Sequence, residues 1–465
     1  MRSKRKCAVT MEYFGAIARD PNVMSVVILD KSETNLLWGL RDGNGGTSVE
    51  GKRLLSQEKS KPENEKLRKT VDTLINRGVL DNNLNLDARL LKPMDPAVDN
   101  TLSSPIRIYD EVTRRCNLSC AHCYASSSSD YRASGRGQEL TVEQRLEILR
   151  KLHEAGVTEY RATGGEPTIL KGFFDIAKQA REYGMNVMVN TNGILSKDTI
   201  SKVIESGIDE LIISVDGLEE SHDKRRGRGS FAKTLSSINT LIEYNKSSSD
   251  KVRLTINQTV GKENVHDAES LVMMAASLGL NVNFMPLRPY GRALNSDMMD
   301  AREFMEFTRK VNDLRGIKEV ADSGIDIYHK NCDLFGNYTS YKSQPRPFDK
   351  SSCGASATGL GINYDGIVNA CGFLAQLPEF QGPNLLQASV QDAWMHPNIV
   401  GFRHVVKKHC EPCGYYQKNC AGTCKAMALA EHDKLDEMDR YCFKHLMEVS
   451  KDGFKHDNQL YNIKY

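Results

Sequence analysis

From residue 106 to residue 287 the apolar positions keep changing period. Short β-like runs at 106–112, 158–162, 186–190, 209–215, 251–259 and 281–286 alternate with stretches of helical period at 141–155, 173–183, 199–206, 231–244 and 267–278. Such alternation predicts right-handed βαβ units and a parallel sheet, here of six strands. A closed eight-stranded barrel would need two more units, and the cysteine-rich remainder does not supply them. Ahead of this region, residues 22–91 predict a small α/β module. It has a strand at 23–29, short helices at 34–40 and 52–57, a helix at 64–77 stopped by Gly78, and a polar wing hairpin at 81–87. Pro93, Pro96 and Pro105 punctuate the passage between the two units. Beyond Ala301 a helix is followed by a loop-rich stretch that carries eight of the twelve cysteines, the pattern of a small domain stapled by metal.

Composition sharpens this division. The chain has 465 residues, which at ~150 per domain makes about three domains. We place them at 1–100, 101–315 and 316–465. With 62 basic and 60 acidic residues the formal net charge is +2, which argues against a protein that works by coating nucleic acid or an anionic membrane. The basic start, Arg2 to Cys7, is not followed by an apolar stretch of signal-peptide length, and the longest apolar run, near 23–29, is too short to span a bilayer. The expected location is cytoplasmic. In that compartment clustered cysteines suggest metal rather than disulfides.

The first cluster, Cys116-x3-Cys120-x2-Cys123, follows the first predicted barrel strand, where ligands of parallel sheets sit. Three thiolates leave either a zinc that takes His122 as fourth ligand or a [4Fe–4S] cluster with one open iron. A second motif, Gly164-Gly165-Glu166-Pro167, follows the second strand. Its glycines allow close approach to the backbone, and Glu166 with nearby carbonyls can accept hydrogen bonds from an ammonium group.

CNLSCAHCYA at 116–125 together with GGEP at 164–167 resembles the radical S-adenosylmethionine (SAM) superfamily over roughly residues 105–287. The resemblance implies an α/β fold built on a partial (β/α)6 barrel. It implies a [4Fe–4S] cluster on Cys116, Cys120 and Cys123 whose open iron is chelated by SAM, and reductive cleavage of SAM to a 5′-deoxyadenosyl radical. By the same resemblance Tyr124 is an adenine contact, Ser214 in SVDG a ribose contact and Arg226 in HDKRRG a carboxylate contact. Asn192 after the third strand is a further SAM candidate, and Arg288 is either an adenine or substrate contact or a rim charge.

Cys353, Cys371, Cys410, Cys413, Cys420, Cys424 and Cys442, with Tyr364-Asp365-Gly366 as a hairpin turn, resemble the SPASM extension. This implies two auxiliary [4Fe–4S] clusters, one on Cys353, Cys371 and Cys424, the other on Cys410, Cys413, Cys420 and Cys442. Cys332 is the candidate eighth ligand. Cys7 stands outside every group. Residues 34–40, Asp42-Gly43 and 61–80 resemble the winged-helix RiPP recognition element, which takes a leader peptide as an added strand. The alternatives for this module are a DNA-binding winged helix and a structural cap.

Together the resemblances imply a radical SAM oxidoreductase that matures a ribosomally made peptide through a thioether or carbon–carbon crosslink, served by an electron donor such as flavodoxin or ferredoxin. Gly372 after Cys371 replaces the aspartate of sulfatase-maturing relatives and puts that activity in doubt. Peptide epimerisation and maturation of a tetrapyrrole or aminoglycoside precursor are the alternatives within enzymes. A zinc-stabilised winged-helix regulator is the alternative outside them.

Overall fold

The structure is a computed structural model. It describes residues 7–12, 15–20, 25–30, 34, 53, 65–76, 79–81, 83, 88–91, 101–131, 138–329, 354–413, 422, 424–442 and 444–446. The amino-terminal module is built earlier in the chain than its apolar pattern predicts. Strands β1 (Cys7–Glu12) and β2 (Gly15–Asp20) precede β3 (Ser25–Asp30), and helix α1 (Glu65–Asn76) leads to β4 (Ala88–Leu91). The sheet order is β3-β2-β1-β4, antiparallel except for the parallel pair β1–β4. Cys7, outside every cysteine group, begins the first strand. The predicted helices at 34–40 and 52–57 and the wing at 81–87 fall almost wholly outside the described residues.

The central region forms as the periodicity predicts. Strands β5 (Arg107–Thr113), β6 (Glu159–Gly164), β7 (Asn186–Thr191), β8 (Glu210–Ser214), β9 (Arg253–Val260) and β10 (Asn281–Pro286) lie side by side and parallel. Helices α2 (Val142–Glu154), α3 (Phe173–Glu182), α4 (Lys197–Glu205), α5 (Glu219–Arg226), α6 (Ser230–Ser247) and α7 (Ala268–Leu278) connect them. Strand alternation sorts the residues. Val187, Val189, Leu211, Ile213 and Ile256 are buried under the helices. The opposite face carries Met188 and Ile212 among polar pairs: Arg161 donates to Asn190 (2.9 Å) and Thr255 to Glu210 (2.6 Å). Thr141 and Gln144 start α2 with a reciprocal capping box.

The sheet does not end with six strands. β11 (Ile327–His329) adds beside β10. Strands from the cysteine-rich region, β12 (Gly359–Ile362), β13 (Ile367–Asn369) and β14 (Gln381–Asn384), add beside β5, so one sheet has ten. The β12–β13 hairpin turns at Tyr364-Asp365-Gly366 as predicted, with Gly366 at φ +89°. Among the described residues no helix is long and apolar enough to cross a membrane.

Two buried polar knots hold the parts together. The Arg145 guanidinium pairs with Asp110 (2.6 Å) and donates to the carbonyls of Val112 (2.8 Å) and Tyr364 (2.9 Å), while the Tyr160 hydroxyl donates to Asp110 (2.6 Å). The second knot grips the buried segment 101–104 from both sides. Glu12 of β1 accepts from the Ser103 amide (2.9 Å) and hydroxyl (3.1 Å), and the Trp394 indole donates to the Leu102 carbonyl (2.6 Å).

Arg145→Met leaves Asp110 buried without its cation and is expected to destabilise the chain by about 3–5 kcal/mol, read as a lowered denaturant midpoint. Burial pushes the Glu12 carboxyl up to about 7, against hydrogen bonds from Ser103 that lower it. The folded chain thus holds this proton more tightly than the unfolded one. The resulting stability is full below about pH 4.5 and is lost as pH rises through about 7. Glu12→Gln, neutral throughout, is expected to melt at a higher temperature than the parent at pH 8 and to lose that advantage by pH 4.5.

Candidate active site

The candidate residues gather at the carboxyl ends of the parallel strands: Cys116–Cys123 after β5, the GGEP turn after β6, Asn192 after β7, Ser214 closing β8, and residues 288–292 after β10. Gly164 and Ser214 are the last residues of their strands and the others lie in the loops that follow, and these ends converge because the strands are parallel.

The cysteine loop is stitched down along its length. Arg292 holds it with three donors, its amide to the Cys123 carbonyl (3.0 Å), Nε to the Cys120 carbonyl (2.8 Å) and Nη2 to the Ser127 carbonyl (2.8 Å). Gly291, at φ +65°, lets this turn lie flat on the loop, since a Cβ there would stand 2.3 Å from the Cys123 carbonyl oxygen. Arg292 was not among the residues singled out from sequence, because nothing local marks an arginine that binds carbonyls far upstream.

Every thiol of the loop faces at least one N–H donor, and Cys116 also takes the Leu118 amide. Asn192 Nδ2 lies 3.9 Å from Cys116 Sγ, Arg226 Nη1 3.9 Å from Cys120 Sγ, and the Ser127 amide 3.4 Å from Cys123 Sγ. Burial pushes the Cys116 thiol up to about 11, and Cys120 is also raised by burial, against the lowering influence of Arg226. Thiols in this setting ionise when a cation binds them. Among the described residues no three His, Cys, Asp or Glu side chains converge on a single-ion position. His122, the alternative zinc ligand, turns Nε2 to Asp216 instead (3.0 Å). Three neighbouring thiols with a donor on each sulfur fit an iron–sulfur cluster better than a lone zinc, which draws four ligands to one point.

The GGEP turn has a tighter role than ligand approach alone. The Gly165 amide donates to the Thr113 carbonyl (2.6 Å) and the Glu166 amide to the Arg115 carbonyl (2.9 Å). A Cβ on Gly164 or Gly165 would lie 2.1 Å from the same two oxygens. The Glu166 carboxylate, expected to receive an ammonium, is fully buried. It accepts from the Thr168 amide (3.2 Å) and hydroxyl (2.7 Å), the Thr191 hydroxyl (2.9 Å) and the Asn192 amide (2.7 Å). Pro167 starts the short turn that these bonds close.

Asp216 was also missed, although it lies in the quoted SVDG segment. It is fully buried and accepts from Arg226 Nε (2.6 Å), His122 Nε2 (3.0 Å) and the Thr259 amide (2.9 Å). Burial works to raise its pKa, but the cationic Arg226 and the His122 contact outweigh it and hold the carboxyl well below the usual range. Arg226, expected at the SAM carboxylate, is thus already paired on one edge. Tyr124 packs edge-on against Phe373 (5.5 Å). Ser214 is half-buried at the β8 end, opposite Asn257. Arg288 is buried rather than on the rim.

The carboxy-terminal thiols fall into two groups. Cys413 and Cys442 both lie near Cys410, with the Cys413 amide bonded to the Cys410 carbonyl (2.9 Å). Cys371 and Cys424 both lie beside the Tyr290 ring, and Tyr290 donates to the Ala426 carbonyl (2.7 Å). Cys332, Cys353 and Cys420 lie outside the described residues.

Residues 111–275 match the radical SAM superfamily. These residues form a radical SAM domain. Its cofactors are a [4Fe–4S] cluster and SAM, and the three-thiol loop has the donor chemistry such a cluster needs. The chain is 26% identical over 355 residues to an AdoMet-dependent heme synthase of Methanosarcina barkeri, covering 73% of this chain and 97% of that one. It is 27% identical over 348 residues to mycofactocin maturase MftC of Mycolicibacterium smegmatis, covering 73% and 83%. Its fold is similar to that of Streptococcus suis SuiB bound to precursor peptide SuiA, with a TM-score of 0.69 at 17% identity, covering 94% of this chain and 98% of that one.

Asp216→Asn removes the charge that pairs Arg226 and His122 while keeping the shape. A change of this kind beside a metal site is expected to cost the radical SAM enzyme about 10–100-fold in SAM cleavage, measured as 5′-deoxyadenosine formed under reducing conditions.

Proposed function

We propose that this enzyme matures a ribosomally made peptide. The carrying observation is the amino-terminal four-stranded sheet, present beside a radical SAM barrel and clasped to it through Glu12 and Ser103. A sheet with open edges takes an extended peptide as an added strand, which suits a precursor's leader segment. The likeness to mycofactocin maturase over 73% of the chain supports the reading. So does the match to peptide-bound SuiB over 94% of the chain.

In this proposal Cys116, Cys120 and Cys123 hold the SAM-binding cluster. Tyr124, Gly164, Gly165, Glu166, Pro167, Asn192, Ser214 and Arg226 shape the SAM pocket, Glu166 acting through Asn192 and the turn it closes. Cys371 and Cys424 with Cys353, and Cys410, Cys413 and Cys442 with Cys420, hold two auxiliary clusters, with Cys332 as the eighth ligand. The cofactors supply a carbon-centred radical able to take hydrogen from an unactivated carbon, and the protein positions them and excludes water. The product is a thioether or carbon–carbon crosslink, and a flavodoxin or ferredoxin supplies electrons.

The likeness to a heme synthase favours a second reading, a tetrapyrrole substrate. That match uses 97% of the heme synthase but only 73% of this chain, so the rest of this chain has almost no counterpart there. The match to peptide-bound SuiB, by contrast, takes in 94% of this chain.

The expected iron content of the anaerobically prepared chain is about twelve per molecule, from three cubanes of four. Replacing Cys116, Cys120 and Cys123 together by Ala is expected to lower it to about eight and to abolish SAM cleavage. A peptide encoded beside the gene, incubated with reduced enzyme and SAM, is expected to lose two hydrogens by mass. Deleting residues 1–100 is expected to abolish that change. If the truncated enzyme modifies the peptide as fast as the full chain, the leader-binding role is wrong.

A further inference from the structure

Across β8, β9 and β10 the register sets three polar residues in one row, Ser214 opposite Asn257 and Asn257 opposite Asn283. Their strand neighbours Ile213, Ile256, Val282 and Phe284 are buried under the helices, so the row lies on the inner face of the barrel. Ser214 closes β8 beside the SAM-side loops. The two asparagines stand on the same wall, one and two strand spacings of ~4.8 Å farther along. Ile212 and Thr255 lie one row below.

Asn283 is 7% exposed and Asn257 is half-buried. Asn283 Nδ2 donates to Asn257 Oδ1. Among the described residues neither side-chain amide has another partner. Whichever amide donates, a head-to-tail pair of this kind leaves one N–H donor and one C=O acceptor over. Such groups in an interior cost free energy unless water or a ligand answers them. A charged ligand would call for a counter-charge, which neither asparagine supplies. A donor beside an acceptor matches a group that itself carries one of each, and the peptide amide is that group.

We propose that Asn257 and Asn283 hold a main-chain amide of the substrate peptide against the inner wall of the barrel, next to the SAM pocket. This grip rests on the peptide-maturase reading above and names where that peptide is held. Asn257 Nδ2 donates to a peptide carbonyl, and Asn283 Oδ1 accepts from a peptide N–H. A main-chain contact does not depend on the side chains of the substrate. It fixes how far an extended segment reaches into the barrel, and so which carbon is presented to SAM. A tetrapyrrole presents carboxylates, which the Asn283 Oδ1 cannot bond.

The test uses the full-length chain, prepared anaerobically and reduced, with SAM and the peptide encoded beside the gene, whose mass change is followed. The parent is compared with the double variant Asn257→Leu/Asn283→Leu, which removes both partners together and leaves no orphaned amide. Each hydrogen bond lost is expected to weaken peptide binding about 3–10-fold, so the KM for peptide rises about 10–100-fold. Iron content and the KM for SAM stay at the parent values. A second set of peptides carries one main-chain ester in place of one amide, which removes that N–H. In the parent one ester position is expected to raise the KM about 3–10-fold, and in the double variant the same ester has no effect. A peptide KM within about twofold of the parent in the iron-replete double variant overturns the proposal, and so does an ester effect that persists there. A KM for SAM that rises in step overturns it too, because the pair then serves SAM. Should the double variant lose iron, the ester set on the parent decides, and a set with no position above about twofold overturns the proposal. A parent that leaves the peptide unmodified removes the maturase reading and this grip with it, whereas a peptide modified equally well by both forms removes the grip alone.

Discussion

The site depends on two backbones meeting without side chains between them. Where β5 runs out, the carbonyls of Thr113 and Arg115 receive the amides of Gly165 and Glu166 from the neighbouring turn. Any side chain at Gly164 or Gly165 would overlap those oxygens, at 2.1 Å. The contact locks the start of the cysteine loop to the GGEP turn, and the buried Glu166 carboxylate carries the lock on to Thr191 and Asn192 of the third strand. Asn192 then faces Cys116. A close approach of glycine backbone is thereby transmitted through three strand ends to a sulfur.

A second chain of contacts runs from the opposite side and is electrostatic. Asp216, ionised although buried, holds Arg226 and His122 at once. Arg226 in turn reaches Cys120. A buried carboxylate of this kind is tolerable because a cation and a backbone amide both satisfy it, and losing either partner leaves a costly charge. The thiols themselves are pushed toward the protonated form by burial, so the positive groups around them matter most once the sulfurs carry charge.

The cysteine-rich region is continuous with the barrel, not appended to it. β12 pairs with β5 in parallel, Arg145 on α2 binds the Tyr364 carbonyl in the hairpin turn, and Phe373 lies between Tyr124 and Tyr290. The amino-terminal sheet joins the assembly by the shorter seam at Ser103, with one carboxyl group whose proton affinity differs from that of an exposed glutamate.

Periodicity alone placed the six central strands, and β10 spans the very residues its apolar run marks. Each position records locally whether it faces the helices or the polar interior. The same rule explains the misses. Helix α5, EESHDKRR, has almost no apolar stripe to announce it, and β1 and β2 lie outside the strongest apolar run of their module. The cysteine spacing and the GGEP turn were legible because their chemistry sits within a few neighbouring residues. The grip of Arg292 on the cysteine loop, the pairing of Asp216 with His122 and the addition of β12 to β5 were not legible. Each joins segments far apart in the chain, and a partner chosen by packing and register leaves no period or spacing in the residues on either side.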